Sequence, residues 1–148
     1  MDFDISINIG ARPDQVWAVM SDVERWHEWT PSITSVEKLD PGPLAVGLRA
    51  RVRQPKLPPA VWTVTWVEGG GGFTWISRAP GVLVSARHMI QAIAGGSRVR
   101  LSIAYAGFFG RLIGRLTKNL NRRYLGFEAE GLKRQCEVAG TTGEKGTR

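Results

Sequence analysis

The chain has 148 residues, a formal net charge of +7 and a single cysteine, Cys136. That length reads as one domain able to bury a core or enclose a cavity, and the lone cysteine with two histidines excludes an internal disulfide and a cysteine-rich metal site. No apolar run approaches the roughly 18–20 residues of a membrane span, and the acidic, alternating start MDFDISINIG does not read as a secretion signal, so a cytoplasmic protein with a buried thiol is expected.

In chain order, Phe3, Ile5, Ile7 and Ile9 alternate with polar residues, which predicts a half-buried strand. Gly10 to Asp14 break it, and Pro13 suits a helix start. Val16, Trp17, Met20 and Val23 then follow helical spacing. Asp22 is placed to cap a second short helix running to about His27 or Glu28, and Pro31 stops it. Trp26 and Trp29 read as an architectural corner where the two short helices close one mouth of the sheet, with Trp29 at the edge of a cavity. Six segments with period two follow: SITSVEKLD, VGLRARVRQP, AVWTVTWVE, FTWIS, GVLVSARHMIQAI and SRVRLSIAYA. Gly69 to Gly72 form one turn between them and AGGS a tight hairpin turn. From Arg111 to about Val138, Leu112, Leu116, Leu120, Phe127, Gly131 and Leu132 recur mostly three to four apart, which predicts one long amphipathic helix. Residues 1–138 are thus one domain, and the small, polar residues 139–148 are expected to be a disordered tail.

The expected fold is α+β: a seven-stranded curved antiparallel sheet, two short helices after strand 1, and one long C-terminal helix packed over it. One helix cannot fill the concave face of such a sheet, so space between them is expected. Charge is uneven as well. No Asp or Glu lies between Glu68 and Glu128, a stretch that holds nine Arg and Lys residues. Such a face can attract an anionic membrane, nucleic acid or an acidic ligand, or simply be solvated.

The element order, with VWAVMSDVERWHEW near the start, WTVTWVEGGGGFTWISRAPG and ARHMIQAIAGGSRVRLSIAYAG in the middle and RLIGRLTKNLNRRYLGFEAEGLKR at the end, resembles the START-like and Bet v 1-like helix-grip superfamily (SRPBCC). The likeness is to its polyketide cyclase/dehydrase-like branch and covers about residues 2 to 138. It implies an elongated apolar cavity that takes a lipid, sterol, polyketide or similar hydrophobic molecule, and in some members a cyclase or hydrolase activity.

Residue by residue, the chemistry is sparse. Two histidines and one cysteine cannot assemble the usual metal set, no serine lies in a GxSxG setting, and the glycine run lacks the GK[ST] of a phosphate loop. No metal and no cofactor are expected. The carboxylates fall in the short helices or the far end of the last helix, which weighs against an acid–base pair in the cavity and against an enzyme. His88 shares its strand parity with Val82, Val84, Ala86 and Ile90, so it is predicted to point inward, as a ligand anchor or as a core histidine tied to Tyr105 or a backbone carbonyl. His27, beside Glu24 and Glu28, reads as a surface residue. Ligand contacts are expected from Trp29, Trp62, Trp66, Trp75, His88, Ile90, Leu101, Ile103, Tyr105, Phe109, Leu116 and Leu120, with Phe108 and Phe109 flanking an opening.

Three functions follow from these residues. The first is binding, transport or sequestration of a hydrophobic small molecule. The second is a metal-free cyclase or dehydratase using a His88–Tyr105 pair. The third is a basic module for anionic membrane or nucleic acid through Arg49, Arg51, Arg53, Arg98 and Arg100. Nucleic acid is disfavoured because no aromatic-plus-basic strand motif or DNA-reading helix is present; peripheral membrane contact stays open, and the sequence is silent on oligomeric state.

Overall fold

The structure, a computed structural model, describes residues 2–146, with side chains described through Val138. The tail expected over 139–148 therefore falls outside the fully described residues. Strand β1 (Asp2–Ile9) is followed by helix α1 (Pro13–Met20) and a 3₁₀ helix (Val23–Glu28). Then come β2 (Ser35–Lys38), β3 (Arg49–Arg53), β4 (Ala60–Glu68), β5 (Gly72–Ala79), β6 (Val82–Ile93) and β7 (Gly96–Ala106). Helices α2 (Gly110–Leu116) and α3 (Lys118–Gly146) end the chain.

The seven strands form one antiparallel sheet in the order β1-β7-β6-β5-β4-β3-β2. The first strand closes beside the last: Phe3 opposes Ile103 and Ile5 opposes Leu101, so the alternating isoleucines of β1 join the inward face of β7. Along the other strands the inward face carries Trp75, Ala86 and Ile103 in one cross-strand row and Phe73, His88 and Leu101 in the next. Gly72, at the start of β5, has φ of 129°, and a Cβ there would stand 1.9 Å from the His88 carbonyl oxygen. Only glycine lets the β4–β5 turn close this tightly on β6.

The alternation in β4 is interrupted. Val64 opposes Trp75, but Trp66 opposes Thr74 and Val67 opposes Phe73, a bulge that leaves Thr65 without an opposite residue. Trp66 thereby leaves the face of Trp62 and Val64 and stands 36 % exposed, whereas Trp62 is buried. Strict period-two reading places all three on one face; one extra backbone residue reverses the parity after it.

One end of the curved sheet is closed by the short helices. Pro13 occupies the first turn of α1, as expected. Asp22 takes the cap position of the 3₁₀ helix, but its side chain makes no capping hydrogen bond. Val16, Met20, Val23 and Trp26 are buried there, and Trp26 Nε1 donates to the Met20 carbonyl at 2.9 Å. Full burial of such side chains contributes roughly 1.5–3 kcal/mol each. Helix α3 covers β1 and α1 with Ala129, Leu132 and Cys136. The helix is pinned to the turn after β1 at Glu137, which accepts from the Gly10 amide at 2.8 Å and from Lys133 Nζ at 2.7 Å.

The predicted single helix is two. It breaks at Thr117, whose hydroxyl donates to the Ile113 carbonyl at 2.7 Å while its φ of −102° and ψ of 9° leave the helical region. The break changes which residues face inward. Leu112 and Leu116, expected in the buried stripe, are 53 % and 72 % exposed, and the inner face carries Ile113, Thr117, Asn121, Leu125 and Glu128. A face turned to a cavity can hold polar residues that a packed core would exclude.

An aromatic cavity with two unpartnered polar groups

Between the sheet and helices α2 and α3 lies a cavity of about 320 Å³. Its sheet wall includes Trp62, Trp75, Val84, Ala86, Arg87, His88, Leu101, Ile103 and Tyr105, and its helix wall Ile113, Thr117, Asn121, Tyr124, Leu125 and Glu128. Trp26 closes the end nearest the short helices. At the other end the rim includes Leu57 and Pro58 from the β3–β4 loop and Ala79 and Val82 from the β5–β6 turn.

His88 stands at the closed end. Its ring stacks on Phe73 with centroids 4.3 Å apart and planes within 7°, and Trp26 lies at 5.3 Å. Nδ1 donates to the Phe73 carbonyl at 3.3 Å. Because a carbonyl only accepts, Nδ1 carries the proton in this arrangement. Burial holds the imidazole pKa down to about 4, outweighing the opposing pull of that hydrogen bond, so the ring is neutral at pH 7 and Nε2 is a bare acceptor. No side-chain nitrogen or oxygen among the described residues is both sealed from accessible space and without a partner. Nε2 makes no protein hydrogen bond, so it borders open volume, and His88 lines the cavity.

Glu128 is the residue that sequence reasoning missed. Its place in the chain suggests the far end of the helix, away from any pocket, yet α3 carries it into the cavity wall. Its carboxyl makes no hydrogen bond or ion pair among the described residues, and burial pushes its pKa up to about 7. The residue is only half-buried by surface area, and what remains accessible adjoins the cavity. Helical periodicity held the signal: Asn121, Leu125 and Glu128 are spaced four and three, the inward stripe of α3.

A further polar chain crosses the wall. Tyr105 Oη donates to Asn121 Oδ1 at 3.0 Å, and Asn121 Nδ2 donates to Thr117 Oγ1 at 3.0 Å. Tyr124 Oη donates to the Pro55 carbonyl, fastening α3 to the β3–β4 loop. The expected His88–Tyr105 pair is not assembled. Tyr105 lies four residues along β7 from Leu101, the partner of His88, so their Cα atoms are roughly 13 Å apart.

Of the expected ligand contacts, Trp62, Trp75, His88, Leu101, Ile103 and Tyr105 line this cavity. The others lie elsewhere. Trp66 is on the outer face of the sheet because of the bulge. Ile90 is buried one step beyond His88, opposite Val99 in the packed core. Trp29 packs on the outer side of Trp26, ring centroids 5.8 Å apart, and its carbonyl faces Gly131 of α3. Phe109 is 47 % exposed and rests on Gly81 of the β5–β6 turn, Leu116 points outward, and Leu120 is half-buried away from the cavity. His27 is exposed. Trp26, by contrast, is more than an architectural corner, because its ring forms part of the wall.

The family model for polyketide cyclase/dehydrase and lipid transport proteins matches residues 1–137. The chain belongs to this family. Among solved structures, the TTHA0849 protein of Thermus thermophilus is similar at 18% identity and a TM-score of 0.74, covering 94% of this chain and 99% of that one. The jhp0584 protein of Helicobacter pylori is similar at 12% identity and a TM-score of 0.75, over 91% of this chain and 86% of that one. Ara h 8.0201 is similar at 12% identity and a TM-score of 0.68, over 92% and 97%. At such identities the likeness is one of fold, the helix grip. Among curated proteins none matches the sequence.

Proposed function

We propose that this family member binds a hydrophobic, ring-bearing small molecule that is uncharged where it meets the protein. The observation that carries the reading is the cavity itself: about 320 Å³, walled by Trp26, Trp62, Trp75 and Tyr105, with two polar groups left unpartnered in its lining. That volume falls within the roughly 300–1,000 Å³ of small-molecule sites. His88 Nε2 accepts a ligand hydroxyl, and protonated Glu128 donates to a ligand carbonyl or hydroxyl. Arg87 is the one basic residue bordering the cavity; it alternates with the inward residues Ala86 and His88 and is exposed. A fatty-acid anion seated against Glu128 would therefore meet a second carboxyl, with an exposed arginine as the only basic residue bordering the cavity.

Tryptophan fluorescence titration tests this, because three indoles line the wall. A neutral bicyclic phenol such as 1-naphthol and a sterol should quench saturably, and palmitate more weakly at pH 8 than at pH 5. Absence of quenching by all three refutes the reading.

Glu128 also favours a second reading, a proton-transfer enzyme of the cyclase or dehydratase kind. A carboxyl that titrates near 7 is matched to general acid–base work at neutral pH, which the His88–Tyr105 pair is not placed to perform. Under that reading Glu128→Gln lowers turnover by roughly 10²–10⁴-fold with ligand affinity retained.

A further inference from the structure

The rim of the cavity carries an unusual surface. Phe108 is 89 % exposed, Phe109 47 %, Leu112 53 % and Leu116 72 %, all within one short stretch around α2. Leu112 and Leu116 are spaced by four and so share one outward face of α2, and Phe108 and Phe109 precede its first turn. A soluble surface does not ordinarily collect four large apolar side chains in one place. Arg111 and Arg115 stand exposed beside them and make no ion pair among the described residues. Four arginines of the sheet differ: Arg49 pairs with Asp40, Arg51 with Glu37 and Arg100 with Asp4, and Arg98 hydrogen-bonds Asn8. Arg53 and Arg87 are exposed without an ion pair among the described residues, but no comparable group of exposed apolar side chains adjoins them. Free positive charge and free apolar surface thus coincide at α2. On its other face the same helix supplies Ile113 to the cavity wall.

We propose that α2 and the Phe108-Phe109 segment dock on an anionic lipid bilayer, with the phenylalanines and leucines entering the acyl boundary and Arg111 and Arg115 meeting the headgroups. The chemistry selects this occupant. A second copy of the chain would bring its own arginines against these and add repulsion, whereas anionic lipid supplies both an apolar phase and negative charge. No helix among the described residues is long and apolar enough to cross a membrane, so the contact is peripheral. It also shifts the basic surface that matters from the sheet's outer arginines, which the sequence suggested, to α2. Docking is independent of what the cavity holds.

Co-sedimentation of the full chain with sucrose-loaded vesicles tests the proposal. Binding is expected to vesicles with about 30 % phosphatidylglycerol at about 0.1 M salt, with little to pure phosphatidylcholine, and is expected to fall at about 0.5 M. Arg111→Gln with Arg115→Gln should weaken partitioning by about 25-fold, taking roughly fivefold per basic residue. Phe108→Ser with Leu112→Ser should weaken it by at least about tenfold. Arg98→Gln with Arg100→Gln should leave it unchanged. These side chains are exposed, and unchanged thermal melting confirms folded variants. No binding to anionic vesicles, or loss through the Arg98 and Arg100 variants instead, overturns the proposal. So does a dimer in sedimentation velocity that the Phe108 and Leu112 variants dissolve.

Discussion

Replacing Glu128 by glutamine isolates the cost of holding a carboxyl in the cavity wall. The carboxyl's pKa is raised from 4.5 to about 7 by burial. Below about pH 4.5 it is protonated in folded and unfolded chains alike and costs nothing. As pH rises past 4.5 the unfolded chain releases the proton first, and stability falls until the folded carboxyl also ionises near 7. The full gap corresponds to about 3 kcal/mol, an upper bound because cavity water solvates part of the group. Glutamine cannot ionise, so Glu128→Gln should gain stability over wild type by up to about 2.5 kcal/mol between pH 5 and pH 8. That pH-dependent difference is unaffected by whatever the neutral amide costs in itself. Urea denaturation at the two pH values measures it; in melting temperature it appears as roughly 5–10 °C. A gain equal at both pH values, or a carbon-13 titration placing the Glu128 carboxyl near 4.5, refutes the reasoning.

His88 works in the opposite direction: its pKa is lowered to about 4, so it stabilises the fold fully above about pH 6.5 and loses that contribution as pH falls through 4. His88→Gln should therefore flatten acid unfolding between pH 6.5 and 4, read by circular dichroism. Gly131→Ala should cost at least about 3 kcal/mol in denaturant unfolding, because a Cβ there would lie 2.0 Å from the Trp29 carbonyl oxygen, a backbone atom on another element. Trp62→Ala should cost about 3 kcal/mol while Trp66→Ala costs under about 1, since only the first is buried; equal costs would contradict the bulge.

The strand order was legible because strands announce themselves by alternation and the half-open sheet enforces it: β1, β6 and β7 follow their period-two pattern throughout. His88 was legible for the same reason, as parity alone places it inward. Legibility failed where local geometry departs from the ideal period. The bulge at Thr65 and the break at Thr117 each shift phase, and Trp66, Leu112 and Leu116 were misplaced together with their neighbours. Glu128 failed for another reason. Hydrophobic patterning assumes that an inward residue is apolar, and this inward face looks onto empty volume rather than packed atoms.

The irregularity in β4 reaches further than one misplaced tryptophan. Val67 occupies the inward place opposite Phe73, the fully buried ring on which His88 lies. Pairing Thr65 with Thr74 in a regular ladder, without the bulge, would carry the indole of Trp66 to where Val67 now stands. Phe73 would have to yield, and the imidazole would lose its platform. The unpaired place of a solvent-facing threonine that touches neither His88 nor the cavity thus sets the orientation of the ring at the cavity floor, and loss of Thr65 itself would leave Val67 opposite Phe73.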